Sequence, residues 1–197
     1  MSKILISGYY GFANAGDEAM LTAIIESLRQ VEKNVELTVL SGNPEDTAAK
    51  HQVCSVYRFN PLGIIRAMKD SELIISGGGS LLQDVTSKRS LLYYLSIIGL
   101  GKFFGKKVML FAQGIGPIRA KWARKLTSLV CNEADLITVR DSESAAELIE
   151  MGVKPEKITV TADSVLSLNP VTKECGQYLL QEAGVCLLYT SDAADDL

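Results

Sequence analysis

The sequence has few of the side chains on which metal and disulfide chemistry depends. It contains one histidine, His51, and four cysteines among 197 residues. The cysteines (Cys54, Cys131, Cys175 and Cys186) show neither the CxxC spacing nor the Cys/His spacing of a metal or redox motif. We therefore expect free thiols in a reducing cytoplasm and no metal site. For His51, which lies between a helix and a strand without an obvious partner, we expect a surface position.

Long apolar runs and a large charge of one sign are also missing. The longest apolar run, residues 91–101, is shorter than the roughly 20 residues that a membrane-spanning helix requires. The first residues lead directly into a strand pattern, so no signal peptide is expected. The formal net charge is −3, and no basic stretch indicates a nucleic-acid partner. These features favour a cytoplasmic protein with a packed core.

Residues 186–197 differ from the rest of the chain in lacking periodicity and turn residues. They match the translation of a common transposon-type sequencing adapter, so we interpret them as a non-native tail. Removing their three aspartates leaves equal numbers of acidic and basic residues. The net charge therefore carries no information about partners.

Apolar segments of strand length alternate with helical patterns along residues 1–170. The predicted strands are 3–7, 36–40, 53–56, 73–76, 107–112, 136–139 and 158–161. The predicted helices are 17–30, 61–69, 88–104, 121–133 and 142–151. This order predicts an α/β fold with a doubly wound parallel sheet, in which ligands bind beyond the carboxyl ends of the strands. Residues 171–185 are interpreted as the start of a connection between domains.

The first strand runs into a glycine-rich turn, "GYYGFANAG", which Asp17 and Glu18 follow. The turn matches neither GxGxxG nor a phosphate-binding loop, and two carboxylates at a helix start would repel a phosphate. They are better suited to accepting hydrogen bonds from sugar hydroxyls, with Tyr10 or Phe12 as a stacking surface. The alternative is that both carboxylates only cap the helix and complement its dipole.

Two further turns follow later strands. Gly77, Gly78 and Gly79 precede Ser80, and their amides could hold a diphosphate or another polar group, or the glycines could serve only tight packing. Gln113 offers an amide at the next strand end, or is purely structural.

Arg140 follows the predicted strand 136–139. It could bind a carboxylate or phosphate, or could pair with Asp141, Glu143 or Glu147 on the surface. Asp163, after the last strand, is a ligand contact or a helix cap.

Four segments in the same order, "GYYGFANAGDEAML", "ISGGGSLLQDVTS", "FAQGIGP" and "ITVRDSES", resemble the polysaccharide pyruvyl transferases, specifically the bacterial CsaB type. The resemblance covers residues 3–169. It implies the N-terminal, Rossmann-like half of a two-domain enzyme similar to the B-type glycosyltransferases. It also implies transfer of a pyruvate ketal from phosphoenolpyruvate to an N-acetylmannosamine of a lipid-linked cell-wall polymer precursor, which anchors surface-layer proteins.

The resemblance further implies that this half binds the acceptor sugar. The implied positions are Tyr10, Phe12, Asn14, Asp17 and Arg140, with Gly77, Gly78 and Gly79 beside them. The donor-binding basic residues and the catalytic histidine of the family belong to the second half, and His51 lies outside every matching segment. The chain alone is therefore expected to be inactive, with phosphoenolpyruvate as a substrate, no cofactor and no metal. Asp17 could act as a base, although orientation of the sugar is its expected role.

Other interpretations stay open at this point. The chain could belong to a glycosyltransferase that uses a nucleotide sugar, or could be a non-catalytic sugar-binding module. The segment 99–108, which places lysines around Phe103 and Phe104, could touch an anionic membrane or could simply end a core helix. The oligomeric state is left open.

Overall fold

Seven strands alternate with helices in the part of the chain that the computed structural model describes, residues 2–170 and 172–184. The strands are β1 Lys3–Tyr10, β2 Glu36–Ser41, β3 Cys54–Tyr57, β4 Leu73–Gly77, β5 Lys107–Gln113, β6 Leu136–Val139 and β7 Ile158–Val160. The helices are α1 Ala15–Val31, α2 Pro44–His51, α3 Pro61–Asp70, α4 Lys88–Phe103, α5 Lys121–Glu133, α6 Ser142–Glu150 and α7 Lys173–Glu182. Two 3-10 turns, Pro155–Lys157 and Ser164–Ser167, flank β7.

The strands form one sheet in the order β3-β2-β1-β4-β5-β6-β7, and every neighbouring pair is parallel. The chain therefore moves outward from β1 to β3, crosses back, and continues on the other side of β1 from β4 to β7. The predicted doubly wound sheet is confirmed. The winding direction reverses between β1 and β4, and open α/β sheets bind ligands at this reversal.

Apolar residues on both faces of the sheet explain why its strands read as continuous apolar runs. Ile4 and Ile6 of β1 pack with Leu21 and Ile24 of α1. Leu5, between them, points to the opposite face and joins the core that α3, α4, α5 and α6 cover. The alternation follows from the two-residue period of a strand. The sheet is thus buried on both sides, and its carboxyl edge is left for the turns that carry polar residues.

Polar residues at the loop ends set where most helices begin. Asn43, Asn60, Ser87 and Asp141 cap α2, α3, α4 and α6 by accepting a hydrogen bond from a backbone amide of the first turn. The sequence prediction omitted α2, although an Asn-Pro pair starts it. It also ended the first strand at residue 7, whereas β1 continues to Tyr10.

Residues 1–167 form one compact unit, and a second unit begins at Leu168. Within the second unit the structure describes α7, which Thr172 caps and in which no residue is buried. The predicted domain boundary at residue 170 and the connection at 171–185 stay predictions. The predicted adapter-derived tail, 186–197, lies outside the described residues. Cys54, Cys131 and Cys175 are free thiols, as expected.

Among the described helices, none combines the length and the apolar character that crossing a membrane requires.

Two glycines of α4 provide a matched test of this packing. A Cβ at Gly101 would lie 2.7 Å from Cδ1 of Ile74 and 3.0 Å from Cγ2 of Val108, whereas a Cβ at Gly99 would meet nothing within 4 Å. Gly99→Ala should therefore raise the free energy of unfolding by about 1 kcal/mol through helix propensity. The free energy of unfolding of the Gly101→Ala variant should be about 1–3 kcal/mol lower than that of the Gly99→Ala variant, because the added methyl group overpacks the contact between α4 and the sheet. Urea unfolding of both variants measures the difference, and equal stabilities would contradict the close helix–sheet contact.

Candidate functional site

The turns after β4 and β5 are joined to each other at the carboxyl edge of the sheet. Leu82 forms a parallel bridge with Ile115, and the amide of Gly116 donates to the carbonyl of Leu82 at 2.8 Å. The carboxylate of Asp84 accepts hydrogen bonds from the amides of Arg119 and Ala120. These contacts fix one wall of the site, and the β1 turn forms the opposite wall.

Asn14 and Glu18 build the β1 turn from inside. The Asn14 side chain caps α1 by accepting from the amide of Gly16 at 3.1 Å. One carboxylate oxygen of Glu18 accepts from the amide of Gly11 at 2.8 Å, and the other lies 3.4 Å from Nε2 of His51. Glu18 was predicted to bind ligand, but both of its oxygens are engaged within the protein. The predicted surface position of His51 is wrong, since its side chain is largely covered where it contacts Glu18.

Asp17, unlike its neighbour Glu18, has a carboxylate that the described part of the protein does not use in its own hydrogen bonds. Only 9% of the residue is exposed, and its carboxylate has no hydrogen-bond partner among the described residues. Burial raises the pKa of Asp17, and the charge of Glu18 raises that pKa further. The side chain lines a cavity of about 360 Å³. Around it are Tyr9, Asn14, Ser80, Thr86, Ser90 and Tyr94. The arrangement leaves a partly dehydrated carboxylate ready to accept a hydrogen bond from a ligand hydroxyl.

The predicted stacking surface at Tyr10 is wrong. The ring is fully buried, and its hydroxyl donates to the carbonyl of Gly77 at 2.5 Å. Burial raises the pKa of Tyr10 well above its ordinary value, and the charge of Asp17 adds to the effect. The β1–β2 register shifts between Ser7 and Tyr10, which turns this ring inward. Tyr10 therefore joins the β1 and β4 turns and does not reach a ligand directly.

Phe12 does present an aromatic surface. It is 42% exposed and stacks on Tyr9 with ring centroids 4.4 Å apart and 14° between the ring planes. Contact of Phe12 with a ligand stays a prediction.

The glycine turn after β4 is shaped by its close neighbours. Gly78 and Gly79 have φ angles of +89° and +66°, which glycine adopts without steric cost. A Cβ at Gly79 would lie 2.9 Å from Oδ1 of Asp17, so the glycine admits the carboxylate to the cavity. The amide of Gly79 points to the sulfur of Met20 at 2.9 Å. Its predicted role in holding a diphosphate is therefore not supported by the direction of this amide.

Arg140 and Ser80 connect the ends of β6 and β4. Nη2 of Arg140 donates to Oγ of Ser80 at 3.1 Å. Its other nitrogens lie 3.4 Å from carboxylate oxygens of Asp141 and Asp163. The surface ion pair considered as an alternative is thus formed with Asp141, while ligand binding by the partly exposed Arg140 stays a prediction. Asp163 also accepts from the amide of Val165, as a cap does.

Gln113 does not face the site. Its side chain is fully buried, its Nε2 donates to Oγ of Ser76 at 2.9 Å, and its Oε1 has no partner among the described residues. The prediction that the Gln113 amide contacts a ligand is therefore wrong.

Sequence analysis missed Arg58, which follows β3 at the same edge of the sheet. The residue is 4% exposed and lies among aromatic rings. Its guanidinium carbon is 5.8 Å from the ring centroid of Tyr9, 5.3 Å from Phe12, 5.2 Å from Phe59, 4.4 Å from Tyr93 and 5.4 Å from Tyr94. The only indication in the sequence was that Arg58 lies between two aromatic residues in "VYRFN". This local pattern does not predict the rings that distant segments contribute.

The sequence also predicted the absence of a metal site and raised the possibility that residues 99–108 contact a membrane. Within residues 2–170 and 172–184, no cluster of His, Cys, Asp and Glu side chains has the geometry of a metal site. The segment 99–108 lies at the amino ends of the strands, opposite the cavity. There Lys102 pairs with Asp135 at 2.7 Å and Lys106 donates to the carbonyl of Lys69, while Phe103 is exposed. Membrane contact by this segment stays a prediction.

Residues 14–176 match the polysaccharide pyruvyl transferase family. The chain belongs to this family. No curated protein sequence matches the chain significantly.

Solved structures are similar in fold at low identity. Anabaena HepE in complex with UDP-glucose has 14% identity and a TM-score of 0.60, with 93% of this chain and 50% of that chain covered. A glycosyltransferase from Rickettsia africae has 11% identity and a TM-score of 0.56, with 94% and 50% covered. UDP-GlcNAc 2-epimerase from Neisseria meningitidis bound to UDP-GlcNAc has 13% identity and a TM-score of 0.53, with 92% and 50% covered.

These matches confirm the predicted Rossmann-like α/β fold, which corresponds to one half of each matched chain. The chain spans about half the length of the structures it matches. At these identities the likeness concerns the fold alone.

The contact between Tyr10 and Gly77 can be tested by removing one oxygen. Tyr10→Phe leaves the buried carbonyl of Gly77 without its donor, so the free energy of unfolding should fall by about 1–3 kcal/mol. Tyr57→Phe is the matched control, because Tyr57 is about half exposed and the same hydroxyl is removed. Chemical denaturation measures both variants. Equal effects of the two substitutions would contradict the role of Tyr10 in joining the turns.

The raised pKa of Asp17 gives a pH-dependent prediction. A carboxyl whose folded-state pKa is raised favours folding below its unfolded pKa, and this contribution is lost as pH rises through the folded pKa. Asp17→Asn should therefore raise the free energy of unfolding at pH 7 by roughly 0.5–2 kcal/mol. The gain should vanish below about pH 3.9, the ordinary pKa of Asp.

Asp84→Asn is the control of opposite sign for this experiment. Hydrogen bonds from the amides of Arg119 and Ala120 hold the pKa of Asp84 below its usual value. Its replacement should therefore lower stability at pH 7, with a difference that fades as pH falls through the native pKa of Asp84. Urea unfolding at several pH values reports both. An Asp17→Asn variant that is less stable at pH 7 would contradict the desolvated state of Asp17.

Proposed function

We propose that this chain is the acceptor-binding half of a polysaccharide pyruvyl transferase of the CsaB type. The full enzyme would transfer a pyruvate ketal from phosphoenolpyruvate to an N-acetylmannosamine of a lipid-linked cell-wall polysaccharide precursor. The observation that carries the proposal is Asp17, a buried carboxylate without a donor, in a cavity at the reversal of the sheet. Membership of the family supports the reaction class.

The reaction needs two hydroxyl groups of one sugar held at one carbon. A proton adds to the methylene carbon of phosphoenolpyruvate, and the first hydroxyl oxygen bonds to C2. The C2–O bond to phosphate then breaks, and the second hydroxyl oxygen takes its place. One of the two hydroxyl protons replaces the proton that was added to the methylene carbon, and the other leaves with the phosphate.

Asp17 is suited to orient the acceptor and to accept one of these protons. A carboxylate with a raised pKa is a stronger base toward a hydroxyl than an ordinary surface aspartate. Asn14 and Ser80 border the same cavity and supply further polar partners, while Tyr9 supplies an aromatic side. Two adjacent carboxylates at a helix start are unfavourable for a phosphate, which supports a neutral sugar as the group that sits against Asp17.

The donor site and the general acid are assigned to the second half of the enzyme. The structures that this chain resembles are about twice its length. The chain alone would accordingly bind the acceptor without catalysing transfer. Phosphoenolpyruvate would reach the carboxyl edge of the sheet from the facing half. The acceptor's lipid would place the enzyme at the inner face of the membrane.

Calorimetric titration of this chain separates the proposal from its alternatives. We expect binding of N-acetylmannosamine and none of phosphoenolpyruvate. Tight binding of UDP-sugars would instead favour a glycosyltransferase that uses a nucleotide sugar. Binding of the amino sugar would not exclude a non-catalytic module, so phosphate release must also be measured in a protein that carries both halves.

Asp17→Asn tests the residue on which the proposal depends. In the two-half enzyme it should raise the KM for the acceptor at least tenfold, the scale of one hydrogen bond to a charged group, and change the KM for phosphoenolpyruvate much less. Asp46→Asn is the control, since Asp46 lies on α2 and pairs with Lys50 outside the cavity. A larger effect on the donor than on the acceptor would assign the β1 turn to the donor side.

A further inference from the structure

Arg58 is a buried cation without a counter-charge. Only 4% of the residue is exposed, and none of the ion pairs of the described residues includes it. Its Nη2 lies 3.4 Å from the hydroxyl of Tyr94, while its Nε and Nη1 are buried with no acceptor in the described part of the chain. A buried charge that keeps unpaired donors is costly, so its retention needs a reason.

The surrounding rings account for only part of that cost. Five aromatic rings, which we call the Arg58 cage, lie with their centroids 4.4–5.8 Å from the guanidinium carbon. The cage consists of Tyr9, Phe12, Phe59, Tyr93 and Tyr94. Cation–π attraction acts on the charge, but it does not replace the acceptors that the N–H groups of the guanidinium lack. The cage therefore holds a positive group whose N–H donors lack acceptors, and a negatively charged oxygen would supply both the missing acceptor and the counter-charge.

The outer side of the Arg58 cage consists of two partly exposed rings. Tyr9 and Phe12 stack on each other and are 40% and 42% exposed. Tyr9 lies near the end of β1 and Phe12 lies in the turn that follows, where Gly11 and Ala13 have φ angles of +77° and +56°. The left-handed conformation at Ala13 is strained, which lowers the cost of rearranging this turn. Movement of this aromatic pair would open Arg58 toward the carboxyl edge.

The Arg58 cage shares two of its rings with the cavity that contains Asp17. Tyr9 and Tyr94 line that cavity, and the hydroxyl of Tyr94 is the group that Nη2 of Arg58 contacts. A ligand in the cavity thus meets the carboxylate of Asp17 and the ring of Tyr94, and the guanidinium of Arg58 lies next to Tyr94. A sugar that carries a phosphate fits this order, with a hydroxyl toward Asp17 and the phosphate toward Arg58.

We infer that Arg58 binds the phosphate group of a sugar phosphate, here the phosphate that links the acceptor sugar to its carrier, when the Tyr9–Phe12 pair is displaced. Guanidinium groups bind phosphate through charge-assisted hydrogen bonds, and the buried surroundings strengthen such bonds. The identity of the sugar rests on the function proposed above, whereas the phosphate site rests on Arg58 and its rings alone.

Calorimetric titration of the full chain with inorganic pyrophosphate tests the site without reference to any sugar or to catalysis. Arg58→Met should weaken binding about tenfold or more, as expected for loss of hydrogen bonds to a charged group. Phe12→Ala keeps the cation and removes half of the cover, so it should bind pyrophosphate more tightly than the wild type. Pyruvate serves as the carboxylate probe, and we expect it to bind more weakly than pyrophosphate.

The controls separate this site from the acceptor proposal. Asp17→Asn should not weaken pyrophosphate binding, because it removes a negative charge from the neighbouring cavity, whereas it should weaken sugar binding. If Arg58→Met does not fold, the pyrophosphate affinity of Phe12→Ala relative to that of the wild type tests the inference by itself. Pyrophosphate affinity that is unchanged by Phe12→Ala and, where it folds, by Arg58→Met would overturn the inference and make Arg58 a structural cation. Tighter binding of pyruvate than of pyrophosphate would also overturn it.

Discussion

The hydrogen bond from Tyr10 to the carbonyl of Gly77 is the contact on which the site depends. It joins the ends of β1 and β4, the two strands between which the sheet reverses its winding. Because the Tyr10 ring is buried, the next residues of the β1 turn are forced outward, and Phe12 becomes exposed while Asp17 returns to the glycine turn. The buried contact thus positions groups that it does not itself include.

Two neighbouring carboxylates then take different roles. Glu18 satisfies the amide of Gly11 and contacts His51, so it supports the turn. Asp17, one residue earlier, points into a cavity and has no donor among the described residues. Since a buried polar group without a partner costs stability, the Asp17 carboxylate is the group on which the proposed acceptor site is based.

Two groups of opposite charge lie near Tyr94. Asp17 lines the same cavity as Tyr94, and Arg58, whose Nε and Nη1 are buried without an acceptor among the described residues, contacts the hydroxyl of Tyr94. The two side chains do not form an ion pair with each other. The proposals above assign each of them to a different part of one ligand.

The fold was largely accessible from the sequence. Apolar runs of strand length and helical periodicity predicted all seven strands and the helices α1, α3, α4, α5 and α6, because these signals act within a few residues. The helix α2 was missed because it has little apolar periodicity. The motifs in the turns after β1, β4, β5 and β6 also predicted the family, which the comparison confirms.

The roles of individual side chains were decided by contacts between segments far apart in the chain. Tyr10 is buried because it meets Gly77, and Gln113 is buried because it meets Ser76. The rings of the Arg58 cage come from the end of β1 and the turn after it, from the residue after Arg58 and from α4. Local patterns along the chain are enough to predict the sheet, and the order of its elements predicts the edge at which the polar turns gather. Which polar groups at that edge find a hydrogen-bond partner depends on packing between segments that are distant in the sequence, so these roles required the structure.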